Sequence, residues 1–197
     1  MKSTIATALI GSLLFAGAAL AAGPAVQETT QRDVNQQQRI EQGLQSGQLS
    51  TKEAGQLERG QQQIDRTEAK DLKNGSISPA EQARLNALQN KESNHIYADK
   101  HNAVLGNPNS ASSQRLQTDV QRNVNQQQRI ANGIHNGSLT NREVGSLERG
   151  QAHVDRKEAN AAANGHVGAF EQARIQHSEN HQSNRIYNKK HNAKVRS

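Results

Sequence analysis

Two histidines with helical spacing are the most specific chemical feature of this sequence. His177 and His181 are four residues apart, so on a helix both imidazoles face one side and can reach the same metal ion. Imidazole ligands favour Cu, Ni or Zn. A related segment ninety residues earlier carries Ala87 and Lys91 at the matching positions, so the pair is not duplicated. The sequence therefore predicts either no cofactor or weak binding of Cu, Ni or Zn at this pair.

Carboxylates are plentiful, and their pattern indicates surface groups. Glu58, Asp65 and Glu68 share one predicted helix with Arg59 and Arg66, which is typical of a solvated, charge-paired helix face. The chain has no Cys, shows no Gly-rich phosphate loop, and places its Ser residues in predicted caps and linkers. These features predict that the protein is not an enzyme.

A polar face recurs near the C-terminal ends of two related segments. The two sets are Asn94, Tyr97 and His101 and, ninety residues later, Asn184, Tyr187 and His191. Helical spacing places each set on one side of its helix. Such a face either binds a partner or closes the bundle as a hydrogen-bonded seam, and the Tyr and Asn chemistry favours the seam.

The charge balance indicates what kind of partner to expect. The chain carries 24 Lys and Arg against 18 Asp and Glu, a formal net charge of +6. Its C-terminal end is basic through Arg185, Lys189, Lys190, Lys194 and Arg196. Aromatic residues make up only 2% of the chain, which argues against nucleic-acid binding by base stacking. An acidic protein or an anionic envelope component is the expected partner.

The first 21 residues have the features of a secretory signal peptide. Met1 and Lys2 precede an uncharged apolar stretch over residues 5–20, and Ala-Leu-Ala at 19–21 forms a small-x-small cleavage site. The mature protein is expected to begin near Ala22, to lack a membrane span, and to be periplasmic or secreted.

The rest of the chain is an internal duplication. Residues 31–103 align with 121–193 at a constant offset of ninety, and the segments V-N-Q-Q-Q-R-I and L-E-R-G-Q recur unchanged. The predicted organisation is a signal peptide at 1–21, repeat 1 at 22–103, a linker at 104–115, and repeat 2 with its basic tail at 116–197.

Helix start and stop signals divide each copy into three helices. Gly47 ends the first predicted helix, which covers residues 30–45. Ser50 with Glu53 and Ser78 with Glu81 form capping boxes that start the second and third helices. The predicted fold is all-α, a tandem repeat of two three-helix units joined by a short linker.

Three of the four turns between these helices match a G-x-[LI]-[ST]-x-x-E pattern, as at 47–53, which is the back half of an EF-hand loop. The first and third calcium-ligand positions of the second turn are Lys70 and Leu72, so these turns are not expected to bind calcium. Together with the I-Y-x-x-K-H-N ending at 96–102, the pattern resembles uncharacterised secreted or periplasmic proteobacterial proteins built from duplicated helical units with EF-hand-like turns. That resemblance implies no particular activity.

The apolar residues are few for a chain of this length. Each copy has about a dozen side chains larger than Ala available for a core, which bury too little surface to offset the ordering of its backbone easily. The copies are therefore either marginal units or stabilised by packing on each other, on a second chain, or on a partner. The favoured function is a non-catalytic interaction or structural role in the cell envelope, and transition-metal binding is the alternative.

Overall fold

The computed structural model describes residues 23–194, and this part of the chain is all-α, as predicted. It contains six α-helices, namely α1 (Pro24–Ser46), α2 (Thr51–Asp71), α3 (Pro79–Lys100), α4 (Ala111–His135), α5 (Asn141–Ala161) and α6 (Ala169–Lys190). One 3-10 turn follows α2 at Leu72–Asn74, and another follows α5 at Ala162–Asn164. The predicted signal peptide lies outside the described residues.

Capping chemistry sets the helix boundaries. Ser50 with Glu53 and Ser78 with Glu81 form complete capping boxes at the starts of α2 and α3, as predicted. The glycines of the four interhelical turns, Gly47, Gly75, Gly137 and Gly165, have φ between 75° and 94°, a conformation that other residues rarely adopt. The α4 helix begins at Ala111, within the predicted linker, because Ser110 accepts a hydrogen bond from the backbone N–H of Ser113.

The glutamates of two EF-hand-like turns are fully engaged in capping. Glu53 Oε2 accepts hydrogen bonds from Ser50 N at 2.9 Å and from its hydroxyl at 2.7 Å. Glu53 Oε1 accepts a hydrogen bond from Asn102 Nδ2 at 2.8 Å, and Asn192 makes the same bond to Glu143 at 2.7 Å. The Asn that ends each K-H-N motif therefore ties the end of a third helix to the start of a second helix.

The two sequence copies share one central four-helix bundle. The α2 helix packs along α5 and α1 packs along α4, while α3 lies outside against α1 and α2, and α6 lies outside against α4 and α5. Gly55 of α2 lies against Ala162 beyond the end of α5, and Gly145 of α5 lies against Leu72 beyond the end of α2, so these helices are antiparallel. The two copies therefore pack on each other through their first and second helices.

The apolar residues of this bundle form two clusters. One contains Ile40, Leu57, Leu116 and Val154, from all four central helices. The other joins the start of α1 and the end of α2 to the end of α4 and the start of α5, and it contains Val26, Leu72, Ile130 and Val144. None of the helices among residues 23–194 is long and apolar enough to cross a membrane.

Candidate metal centre

Seven buried carboxylates lie on three of the central helices, α1, α2 and α5. We name them the carboxylate cluster; they are Asp33 of α1, Glu58, Asp65 and Glu68 of α2, and Glu148, Asp155 and Glu158 of α5. Each has at most 1% of its surface exposed. Full burial of so many ionisable groups in one bundle is unusual, because such groups are almost never buried unless they are paired.

The prediction that Glu58, Asp65 and Glu68 lie on a solvated surface is wrong. Their spacing of seven and three residues keeps them on one side of α2, and that side faces α5. Arg59 and Arg66 are exposed, so they do not pair with the buried carboxylates. The duplication places Glu148, Asp155 and Glu158 on α5 in the same way, so the acidic faces of the two helices meet.

Cations reach only the edge of the carboxylate cluster within residues 23–194. Arg32 lowers the pKa of Asp33, and Arg122 pairs with Glu179, a further buried carboxylate whose charge raises the pKa of Glu158. The ion pairs within residues 23–194 are Arg84–Asp71, His95–Glu92 and Arg122–Glu179, and none includes a member of the cluster. Neutral amides are its polar neighbours instead. Gln37 donates to Glu58 Oε2 at 3.0 Å, and Gln127 donates to Glu148 Oε2 at 3.0 Å.

Burial raises the pKa of every carboxyl group in the cluster. It raises the pKa of Asp33 and of Glu58 to about 7 and that of Glu148 to about 8. For the other four members, burial together with repulsion from neighbouring carboxylates holds the pKa well above its ordinary value. Without a bound cation, the cluster therefore holds several protons at neutral pH.

Three members of the cluster converge on one point. Glu58, Asp155 and Glu158 each place a carboxylate oxygen within 4.8 Å of the others, and within residues 23–194 this is the sole convergent set of three or more His, Asp or Glu side chains. Calcium takes oxygen ligands at about 2.3–2.6 Å, so two ligands of one ion lie no more than roughly 5 Å apart. The spacing of the triad therefore suits a single cation.

A buried amide points into the triad. Asn123 of α4 is fully buried, and its Nδ2 donates to Glu158 Oε2 at 2.6 Å and lies 3.4 Å from Asp155 Oδ1. Its Oδ1 accepts no hydrogen bond, and neither does Oε1 of Gln37, the amide that contacts Glu58. Rotation of the Asn123 amide about χ2 would present this oxygen to an ion as a further ligand.

Oxygens of the triad itself also have no hydrogen-bond donor. Glu58 Oε1 and Glu158 Oε1 are buried and accept no hydrogen bond, whereas the Asp155 carboxylate is hydrogen-bonded to Asp65 of α2. Buried polar atoms normally have a partner, so carboxylate oxygens without a donor are suited to a bound cation. The triad thus offers free oxygen ligands away from water.

The other half of the cluster is related to the triad by the duplication. Its members are Glu148, Asp65 and Glu68, with Asp33 at the position that Asn123 occupies in the second copy. Asp33 and Glu68 are hydrogen-bonded to each other, and Thr30 Oγ1 donates to Glu68 Oε1 at 3.3 Å. This half does not form a convergent triad. The two halves are therefore alike in helix position but different in chemistry.

The residues singled out from the sequence lie on the surface. His177 and His181 are exposed on α6, and they line an open groove with His153 of α5.

Tyr97 is 62% exposed and Tyr187 is 57% exposed, so the seam interpretation of the shared polar face is wrong. Each Tyr instead stacks on the His four residues later, with ring centroids 4.2 Å apart. Asn94 and Asn184 are exposed beside them.

The basic end is only partly available for binding. Arg185 is half-buried on α6, and Lys190 donates to the backbone carbonyl of Arg129 at 3.2 Å. Lys189 is half-buried and Lys194 is exposed, while Arg196 lies outside the described residues.

Comparison with protein-family models, with curated proteins and with solved structures gives no match. The geometry and chemistry of the carboxylate cluster are therefore the basis for its function.

Proposed function

We propose that this protein binds a hard metal cation with the carboxylate cluster, using Glu58, Asp155 and Glu158 as ligands. The observation that carries the proposal is the convergence of three buried, uncompensated carboxylates inside a four-helix bundle. All of the donors are oxygens, which suit Ca²⁺, Mn²⁺, Mg²⁺ or iron better than Cu or Zn. Inward-facing carboxylates on neighbouring helices are also how di-iron bundles hold their metals.

A bound cation would remove the main electrostatic cost of this core. Seven carboxylates without a counter-ion must stay largely protonated or repel one another. A divalent ion supplies positive charge at the triad, where no Lys or Arg of the described residues forms an ion pair. Uptake is then expected to release protons, because the ion replaces them on the ligand oxygens.

The experiment compares Glu58→Gln with wild type in thermal melts at pH 8, with and without Mn²⁺ or Ca²⁺. The metal should raise the melting temperature of the wild-type protein and leave the variant unchanged. The metal-free variant should melt higher than the metal-free wild type. Burial raises the pKa of Glu58 from 4.5 to about 7, which at pH 8 destabilises the folded protein by about 3 kcal/mol. Removing this cost should raise the melting temperature by roughly 6–12 °C.

Asp71→Asn provides the matched control. Asp71 is a buried carboxylate outside the cluster, and it pairs with Arg84 at 2.6 Å. Its removal should lower the melting temperature and leave the metal response intact. A wild-type protein that shows no metal-dependent shift at millimolar Mn²⁺, Ca²⁺ or Fe²⁺ would refute the proposal.

We further propose that the chain is a duplicated three-helix unit that is exported by residues 1–21 and acts without catalysis in the periplasm or outside the cell. The signal-like segment and the basic end support this location and an acidic protein or anionic envelope component as partner. Intact-mass analysis should show a mature protein that begins at Ala22. Retention of Met1 in the envelope fraction would contradict export with cleavage.

Transition-metal binding through imidazoles is the second candidate. It is favoured by one observation, since His177 and His181 lie one helical turn apart on α6 and line the same open groove. Replacing His177 and His181 together should abolish binding of the first equivalent of Cu²⁺ or Ni²⁺ if this candidate is correct, whereas Glu58→Gln should not affect it.

A further inference from the structure

A positively charged groove lies between α5 and α6, on the outside of the bundle. Arg149, His153 and Lys157 line one wall, and His177, His181 and Arg185 line the other. The groove has a volume of about 510 Å³, and none of the described residues that line it is Asp or Glu. Three permanent cations and three imidazoles therefore face one open space.

The charges in this groove are not neutralised. Within the described chain, Arg149, Lys157 and Arg185 take part in no ion pair. The pKa of His153 is lowered, mainly because the ring is partly buried and also because Lys157, Arg156 and His181 lie nearby. The electrostatic environment of the groove thus favours a negatively charged ligand.

Arg185 is held in place before any ligand arrives. Its Nη2 donates to Ser146 O at 2.6 Å and to Ser146 Oγ at 3.0 Å, and its Nη1 donates to Gln182 Oε1 at 2.8 Å. All three acceptors are neutral. A half-buried guanidinium that is positioned only by neutral acceptors keeps its charge available for an oxyanion.

The histidine in the α5 wall is oriented as a hydrogen-bond donor. Arg156 Nη2 lies 3.0 Å from His153 Nδ1. A guanidinium can only donate, so Nδ1 is the acceptor and Nε2 carries the hydrogen in the neutral ring. A ring in this tautomer donates to an anion through Nε2, and it cannot ligate a metal there without losing that hydrogen.

The matching groove in the first copy has different chemistry. It is lined by Arg59, Gln63, Lys91, Glu92 and His95, so a carboxylate replaces Gln182 and an imidazole replaces Arg185. His95 Nδ1 lies 3.6 Å from Glu92 Oε2. The same backbone thus provides one strongly positive groove and one with compensated charge, which serves as an internal control.

We propose that the α5–α6 groove binds phosphate, either as the free dianion or as a phosphomonoester headgroup. The ligand oxygens would accept hydrogen bonds from Arg149, Arg185 and His153 Nε2, with His177 and His181 on the opposite rim. This site is independent of the carboxylate cluster, because it lies on the outer face of α5 and takes a ligand of the opposite charge.

The test titrates inorganic phosphate into the mature chain, residues 22–197, in chloride buffer, with calorimetry and the imidazole NMR signals as readouts. Wild type should show saturable binding that shifts the signals of His153, His177 and His181. Arg149→Glu should weaken binding by about tenfold or more, because a hydrogen bond to a charged group is lost and a repulsive charge is added. The matched variant Arg59→Glu should bind as wild type does.

Two further arms identify the source of the phosphate and the main competitor. The first arm measures binding to phosphatidate vesicles, with phosphatidylcholine vesicles as the control. Binding to phosphatidate alone, in competition with free phosphate, would assign a lipid headgroup to the same site. Binding of inorganic phosphate without vesicle binding would assign the free ion. Equal losses in Arg149→Glu and Arg59→Glu, or no saturable binding of phosphate in either form, would overturn the proposal. So would Zn²⁺ binding that depends on His177 and His181 in a groove that phosphate does not enter.

Discussion

At the scale of single residues, burial decides the chemistry of this protein. Glu58 and Arg59 are adjacent in sequence, but one is fully buried and the other is exposed. Local sequence indicates only that both lie on a helix. The clue to the cluster is that Glu58, Asp65 and Glu68 recur unchanged as Glu148, Asp155 and Glu158. Sequence alone does not show that these faces meet, because this depends on how the two copies pack.

The raised pKa values predict how stability depends on pH. In the metal-free protein, folded carboxyls such as Glu58 and Glu148 bind protons more tightly than they do in the unfolded chain. Their stabilising contribution is complete below about pH 4 and is lost as the pH rises through about 7 to 8. The melting temperature without metal should therefore fall between pH 5 and pH 8. A melting temperature that rises over this interval would show that the cluster is already neutralised by another group.

The difference between Asn123 and Asp33 predicts the effect of a single substitution. Asn123→Asp adds an eighth carboxylate beside Asp155 and Glu158, so the metal-free protein should melt lower at pH 8. The same change adds an anionic ligand and should tighten binding of Mn²⁺ or Ca²⁺. Calorimetry and melting curves of the same samples measure both effects. A variant that melts lower and also binds metal less tightly would place the ion away from Asn123.

At the scale of helices, the sequence predicts the boundaries well where a cap is present. The Ser50 and Ser78 boxes and the turn glycines mark α2 and α3 within a few residues. The start of α1 at Pro24 is six residues earlier than predicted, because sparse apolar positions in its first turns give little periodicity. Exposure of Tyr97 was not predictable from residue type, since a buried and an exposed Tyr are equally compatible with this spacing.

The close approach of α2 and α5 predicts an exception to helix propensity. Ala is a better helix former than Gly by about 1 kcal/mol. At Gly145, however, an added Cβ would lie 2.7 Å from Leu72 Cβ, on the turn that follows α2. Gly145→Ala should therefore lower the melting temperature although it favours the helix locally. Chemical denaturation measures the change in unfolding free energy, and a gain in stability would mean that the two elements have room to separate.

At the scale of the whole molecule, the shared core predicts how separated halves behave. Ile40 and Leu57 from the first copy pack in one cluster with Leu116 and Val154 from the second. Residues 22–106 and 107–197, expressed separately, should show little cooperative unfolding as monomers. Mixed together, they should regain helix content by circular dichroism and sediment as a one-to-one complex. Two fragments that each melt cooperatively as monomers would contradict a shared core.

The antiparallel pairing of α2 with α5, and of α1 with α4, also bears on the ancestry of the protein. Helices related by an offset of ninety residues pack against each other, which is the arrangement expected of an isologous homodimer whose subunits were later joined by gene fusion. In such an ancestor, every substitution in the core would have appeared twice. A fused chain can diverge between its halves: Asp33 and Asn123 differ at equivalent positions, and only one of the two outer grooves is strongly basic.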